Sequence, residues 1–233
     1  MIIEPYTNDP LFADGLTALQ VDKVRFDVAI NSLGTPRNKK ILDIGAYPGT
    51  GYERFSGDNE YTAYGIIEGE FKKKLEDRSI KFISADIQDV ECFSTDADIV
   101  LFQEIIEHIR TPKSVLTKIY EGMKVNSVMY ITTNNSFYYG YILKLILGRQ
   151  ILDPIETENS TYPGHCRYYS ANELSEFFIK LGADIRMCRN INFLPSISCY
   201  KIPVRPLAII KKILSILLPD LYSTHIELVI HKP

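Results

Sequence analysis

The chain has 233 residues, enough to bury a full core as one domain with room for an insertion. Its 45% hydrophobic and 24% charged content is ordinary for a globular protein, and a net charge of −3 supplies no general positive field for nucleic acid. The four cysteines (Cys92, Cys166, Cys188, Cys199) form no C-x-x-C pair, which argues against a structural zinc site, a redox pair or a disulfide framework. The N-terminal MIIEPYTNDP lacks a basic region followed by an apolar run, and no apolar run reaches membrane-spanning length, so a cytoplasmic location is expected.

Residues 1–39 read as a polar entry segment followed by a helix, with Val21, Val24 and Val28 at helical spacing. Ile41 to Gly45 reads as a short buried strand that ends in a Gly-rich turn, and a brief helix follows near Tyr52 and Phe55. Strands are then expected at Ala63 to Ile67, Ile80 to Ala85 and Asp98 to Phe102. Val115, Ile119, Tyr120 and Met123 share one helical face, and Val128 to Thr132 is another strand. Ser170-Ala171-Asn172-Glu173 has the form of a capping box, Leu174, Phe177, Phe178 and Leu181 form the apolar stripe behind it, and Gly182 is the expected stop. Ile185 to Cys188 and Ile226 to Ile230 are the last strands. Strands alternating with helices predict an α/β fold with a mostly parallel, doubly wound sheet, whose ligand site lies at the carboxyl ends of the strands.

Residues 134–169 and 190–224 do not fit the alternation and are expected to be substrate or lid insertions on a single domain, with residues 40–133 as its cofactor-binding half. The first insertion holds Phe137, Tyr138, Tyr139 and Tyr141; the second holds the apolar stretch Leu207 to Leu218, broken by Lys211 and Lys212. That stretch suits a buried lid helix, a dimer contact or a helix lying on a membrane surface.

Ile41-Leu42-Asp43-Ile44-Gly45-Ala46-Tyr47-Pro48-Gly49-Thr50-Gly51 carries the strongest chemical signal. Glycine lets backbone approach a ligand closely, and the N-terminus of a following helix favours an anionic group. The Gly-Lys-Ser/Thr ending of a phosphate-binding loop is missing, and Tyr47 stands where the second glycine of a dinucleotide fingerprint belongs. Asp43 is an acidic residue inside an otherwise apolar strand, which burial alone would disfavour.

Asp43-Ile44-Gly45 through Gly49 resembles the first motif of class I S-adenosylmethionine (SAM)-dependent methyltransferases. Later landmarks match in order: Glu68 after the second strand, Ser84-Ala85-Asp86 after the third, Gln103-Glu104-Ile105-Ile106-Glu107-His108 after the fourth, and Thr132-Thr133-Asn134-Asn135 at the end of the fifth. Gly164-His165-Cys166-Arg167-Tyr168-Tyr169-Ser170 resembles the entry to the next helix in small-molecule methyltransferases. The resemblance spans Ile41 to Gly182 and implies a Rossmann-like, seven-stranded sheet with helices on both faces.

It also implies roles. Asp43 orders the SAM loop; Gly45, Ala46 and Gly49 meet the methionine end; Glu68 holds the ribose hydroxyls, Asp86 with Ile87 the adenine, and Gln103 lines the donor site. His108 and His165 are the candidate catalytic groups for deprotonating a hydroxyl, while Arg167, Tyr168 and Tyr138 are candidates for the acceptor. Glu104 and Glu107 read either as part of this motif or as a solvated helix start. No metal-ligand cluster is apparent and no metal is expected. The acceptor is expected to be a small molecule or a glycan, with O-methylation of a sugar or other hydroxyl first. The tail, with Gly148-Arg149, resembles methyltransferases of polysaccharide or lipid-linked glycan synthesis. Neither an Asn/Asp-Pro-Pro-Tyr motif nor a Pro-Cys nucleophile is present, so DNA is not the expected acceptor. A catalytically degenerate SAM-binding or interaction protein is the alternative, and an NAD-dependent oxidoreductase is a third; the oligomeric state is left open.

Overall fold

The computed structural model describes residues 18–46, 50–152, 164–191, 214 and 217–233. Seven strands form one sheet: β1 (Lys40–Ile44), β2 (Glu60–Gly65), β3 (Lys81–Ser84), β4 (Ile99–Gln103), β5 (Val128–Asn134), β6 (Asp184–Ile191) and β7 (His225–His231), in the order β3-β2-β1-β4-β5-β7-β6. Pairing is parallel from β3 through β5, and β7 pairs antiparallel with both β5 and β6. Strand order reverses at β1, which lies between β2 and β4, so the ligand crevice of such a sheet falls at the ends of these two strands.

Both faces of the sheet are covered, which is why its central strands read as continuous apolar runs. One face packs under α1 (Ala18–Leu33), α2 (Thr50–Phe55) and α3 (Gly69–Asp77), through Phe26, Ala29, Phe55, Phe71 and Leu75. The other packs under α4 (Pro112–Gly122) and α6 (Ala171–Lys180), through Val115, Ile119, Leu174 and Phe178. β3 is one of the two edge strands and is largely exposed, and the apolar segment Ile80 to Ala85 forms a strand of only four residues.

The expected elements are present, with local corrections. The helix of the first segment buries Phe26 and Ala29, whereas Val24 and Val28 are only half-buried. The second strand begins at Glu60 rather than Ala63 and ends at Gly65, leaving Ile66 exposed beyond it. α3 was not foreseen, because its two buried residues, Phe71 and Leu75, stand one turn apart among charges in GEFKKKLED. Within residues 134–169 a further helix, α5 (Tyr139–Ile146), leaves the end of β5. Leu207 to Leu218 lies outside the described residues except at 214, 217 and 218; the one-turn helix α7 (Pro219–Tyr222) follows it and leads into β7. Among the described residues no helix is long and apolar enough to cross a membrane.

α6 has the ends its sequence foretells. Ser170 Oγ accepts from the Glu173 N–H at 3.2 Å, which satisfies one free donor of the first turn. At the other end Ala183 N–H reaches Phe178 O at 3.0 Å and Gly182 N–H reaches Ile179 O at 2.9 Å, with Gly182 at φ +86°. This double closure requires a left-handed residue, which glycine adopts without Cβ strain.

Phe178 is fully buried and meets the Tyr120 ring edge-on at 6.0 Å, joining α6 to α4. Phe178→Ala should destabilise the fold by about 3–5 kcal/mol through lost burial and the cavity left behind. The midpoint of urea unfolding measures this, and a shift worth under about 1 kcal/mol would show that the α4–α6 layer collapses around the gap.

Candidate active site

In β1, the buried Asp43 carboxylate accepts from the Tyr61 hydroxyl, and burial followed by the charge of Asp43 pushes the Tyr61 phenol well above its ordinary range. A Cβ on Gly51 would stand 2.3 Å from Asp43 Oδ2, so the last glycine of the motif is there to let α2 seat against this carboxylate. Gly45 has φ +78°, and a Cβ on it would meet Ile105 Cδ1 at 2.0 Å. The N–H groups of Gly45 and Ala46 point at Tyr64 O, at 2.7 and 3.4 Å. Gly49, with Tyr47 and Pro48, lies outside the described residues.

Glu68 precedes α3 and is exposed, with no side-chain hydrogen bond to the helix it caps. Asp86 follows β3; its Oδ1 accepts from the Gln88 N–H at 2.9 Å, which closes the turn. Ile87 is buried in the core, and its carbonyl accepts from Lys118 Nζ at 3.0 Å. Gln103 ends β4, one residue beyond the Ile44–Phe102 pair, and so lies level with Gly45. Its side chain is 3% exposed, and neither amide atom has a hydrogen-bond partner among the described residues.

The ends of β4 and β5 are built around Glu107. The sequence left open a solvated position for Glu104 and Glu107; the structure puts Glu107 on a 3-10 turn (Ile106–His108) at 1% exposure. Thr133 Oγ1 donates to its Oε2 at 2.9 Å and Asn134 Nδ2 to its Oε1 at 3.3 Å. Its backbone carbonyl accepts from the Cys166 N–H at 2.7 Å. Burial, and then the neighbouring Glu104 charge, raise the Glu107 carboxyl well above the usual range. Burial also opposes ionisation of Glu104, but His225, whose Nε2 is 3.4 Å from Glu104 Oε2, and Arg25 outweigh it and hold that carboxyl low.

Two histidines far apart in sequence meet here. The His108 and His165 rings have centroids 4.7 Å apart. His108 Nδ1 lies 2.9 Å from Gly164 O; a carbonyl only accepts, so Nδ1 carries the proton and Nε2 the lone pair. His165 Nδ1 lies 3.1 Å from the Tyr168 hydroxyl, which itself donates to Ile151 O at 3.0 Å, so His165 takes the same tautomer. Tyr168 stacks on Tyr141 at 4.7 Å with the planes 9° apart, and the Tyr141 hydroxyl donates to Asn134 Oδ1 at 3.1 Å. Tyr138 packs edge-on against Tyr141 at 5.4 Å. An aromatic wall therefore joins the start of α5 to the loop that carries His165.

The expected residues thus divide into groups. His108, His165, Tyr168 and, through Tyr141, Tyr138 form one continuous cluster. Arg167 sits beside it but is engaged in an ion pair with Glu173 of α6 and stacks over Tyr169 at 5.2 Å. Glu107, Thr133, Asn134 and Tyr141 were missed as site residues; the E-x-x-E-H motif already contained Glu107, and the T-T-N-N end of β5 contained two of its partners. The expectation of no metal-ligand cluster also needs correction: one ligand atom from each of Glu107, His108 and His165 lies within 4.8 Å of the others. The spacing rule fails because His165 reaches the group only through the fold. A separate cleft of about 410 Å³ opens over β1–β3, lined by Lys40, Thr62, Tyr64 and Phe93, and none of the residues expected at the site lines it.

Comparison with known proteins gives this geometry its relatives. The chain is 24% identical over 108 residues to a ubiquinone biosynthesis O-methyltransferase from Hydrogenovibrio crunogenus, covering 46% of this chain and only 44% of that protein's length. Its fold is similar to a SAM-dependent methyltransferase from Mesorhizobium loti (TM-score 0.62, 10% identity, 90% of this chain and 99% of that one). It is also similar to 1,6-didemethyltoxoflavin-N1-methyltransferase from Burkholderia thailandensis, solved with bound 1,6-didemethyltoxoflavin and S-adenosylhomocysteine (TM-score 0.59, 14% identity, 91% and 78%). A methyltransferase-domain family model matches residues 23–186, and with that match lying on a β3-β2-β1-β4-β5-β7-β6 sheet, the chain belongs to the class I SAM-dependent methyltransferases.

Proposed function

We propose that this chain transfers the methyl group of SAM to a hydroxyl of a small-molecule or glycan acceptor. The observation that carries the reading is the pair of imidazoles at the carboxyl end of the sheet, both held as Nδ1–H tautomers beside an aromatic wall.

The donor end suits SAM. Glu68 offers an exposed carboxylate where a ribose diol needs one, and Asp86 keeps its second oxygen beyond the one that closes its turn. Gln103 supports the same placement, since a buried amide without partners costs about 1–3 kcal/mol until something bonds it, and an ammonium and a carboxylate together satisfy both its ends. Gly45, whose N–H is used within the sheet, contributes close backbone approach. Bound there, SAM supplies an activated methyl on a sulfonium, so the protein's work is alignment and control of the acceptor's proton.

A hydroxyl is a poor nucleophile until its proton is removed or its acidity raised, and imidazole is the side chain suited to that at neutral pH. Tyr138, Tyr141 and Tyr168 offer ring faces and edges for a flat or sugar-like acceptor. Arg167, half-exposed and paired with Glu173, reaches an anionic group of the acceptor only by leaving that pair.

Two measurements test the reading. Calorimetric titration with SAM and S-adenosylhomocysteine should give saturable binding, weakened about tenfold (about 1.4 kcal/mol) in each of Glu68→Ala and Asp86→Ala with the fold unchanged by circular dichroism. Unweakened binding in both variants would move the donor site elsewhere. With methyl-labelled SAM and a panel of sugars, nucleotide sugars and phenols, label should pass to a hydroxyl, and His108→Ala should lower kcat by about a hundredfold or more. Tight SAM binding with no turnover on any acceptor would replace the enzyme with a non-catalytic SAM-binding protein.

A further inference from the structure

We propose that Glu107, His108 and His165 form a binding site for one divalent cation at the acceptor end of the sheet, of the kind that imidazole favours (Zn²⁺, Mn²⁺ or Co²⁺ ahead of Mg²⁺). The inference rests on the proposed hydroxyl chemistry for its purpose, but the geometry that carries it is independent of that chemistry.

The donor set is two imidazoles and one carboxylate, with one ligand atom of each within 4.8 Å of the others. Around a cation with bonds of about 2.0–2.2 Å, tetrahedral ligand atoms stand about 3.4 Å apart, so closure requires shifts of about an ångström. His165 belongs to a loop and is half-buried, so the adjustment falls to its side chain.

The surroundings of the three residues are those of metal ligands. A ligating histidine characteristically gives its second ring N–H to a carbonyl or similar acceptor, which fixes the tautomer and turns the other nitrogen to the ion. His108 does this with Gly164 O, and His165 with the Tyr168 hydroxyl. Both oxygens of Glu107 are likewise oriented, by Thr133 and Asn134. The loop cannot slide away from Glu107, because the Cys166 N–H is bonded to the Glu107 carbonyl.

Electrostatics points the same way. Glu107 is buried beside the Glu104 carboxylate, and neither Thr133 nor Asn134, which bond it, carries a positive charge, whereas Glu104 has His225. A buried carboxylate without a positive partner is costly, and a divalent cation between Glu107 and the two imidazoles supplies that partner.

Three protein ligands leave positions for the acceptor. With their lone pairs on the cation the two imidazoles would act as ligands and not as bases, so the acidity of the hydroxyl is raised by the ion instead: a hydroxyl oxygen bound there loses its proton to solvent, then bonds to the methyl carbon of SAM as the C–S bond breaks, and the electron pair stays on sulfur, leaving the neutral thioether S-adenosylhomocysteine.

The test is metal binding by the intact protein after chelator treatment, read by calorimetry with Zn²⁺, Mn²⁺ and Mg²⁺ and by Mn²⁺ paramagnetic resonance. One-site saturable binding of Zn²⁺ or Mn²⁺ is expected, weakened at least tenfold in His108→Ala, His165→Ala and Glu107→Gln and unchanged in Cys166→Ser. His165→Ala should keep its affinity for S-adenosylhomocysteine, showing that the donor end and the fold survive. Folded wild-type protein that binds none of the three ions at millimolar concentration would overturn the site, as would binding undiminished in both histidine variants. Methyl transfer to a hydroxyl that persists in excess chelator would leave the proposed activity standing and remove the cation from it. Cation binding at these residues with no methyl transfer would uphold the site and sink the activity instead.

Discussion

The carboxyl end of the sheet hangs on one buried carboxylate. Glu107 has little contact with water, and an unsatisfied carboxylate in that position would cost several kcal/mol. It is tolerated because its two oxygens take donors from β5 and its backbone carbonyl takes the N–H of Cys166. Three segments distant in sequence are thereby tied at one residue: the turn after β4, the end of β5 and the loop before α6. Both histidines follow from that knot, since His108 is the next residue and His165 stands one residue before Cys166. The aromatic wall follows too, through Asn134 and Tyr141.

A second buried carboxylate ties the sheet to α1. Glu227, in the middle of β7, is fully buried and accepts from the Tyr130 hydroxyl at 2.7 Å, from Ser32 Oγ at 2.9 Å and from Arg189. α1 is thus fixed to β5, β6 and β7 by hydrogen bonds, in addition to its apolar contact through Phe26 and Ala29. The two carboxylates differ in their partners. Glu227 has a guanidinium and reads as a structural ion pair, whereas Glu107 is bonded by Thr133 and Asn134 and lies beside the Glu104 carboxylate, none of them a cation. That contrast, more than burial itself, separates an anchoring carboxylate from one whose surroundings suit a positive ligand.

What could be read in advance was local. The serine cap at Ser170, the stop at Gly182 and the left-handed Gly45 after β1 each depend on residues within one or two turns of chain and appear where the sequence puts them, whereas the glutamate of the expected capping box, Glu173, pairs with Arg167 instead. The central strands were legible because burial on both faces makes them apolar throughout. α3 was hidden because only Phe71 and Leu75 are buried, and six of its nine residues are charged. The helical spacing of the valines gave α1 but not its buried face, which takes Phe26 and Ala29. At the site, the E-x-x-E-H motif was visible but its geometry was not. The meeting of His108 with His165 depends on the crossing of the chain from β5 through α5 and back, which no spacing within either motif encodes.

The turn that makes this crossing useful starts with a strained residue. Glu104 adopts φ +54°, a left-handed conformation uncommon for a side chain without a local reason and worth about 1 kcal/mol or more in strain. Glycine would adopt it freely, yet the position holds a glutamate. Two bonds keep it there: its N–H reaches Thr132 O at 2.9 Å, extending the β4–β5 ladder by one step, and its carboxylate pairs with His225 of β7. The left-handed step turns the chain off the sheet immediately after Gln103. The next residues close a 3-10 turn, and Glu107 comes back over the end of β5, where Thr133 and Asn134 wait. Had β4 continued straight, side chains would alternate across the sheet and Glu107 would project past its edge into water. The strain at Glu104 is therefore the local condition for burying Glu107, and through Glu107 for bringing the two imidazoles together.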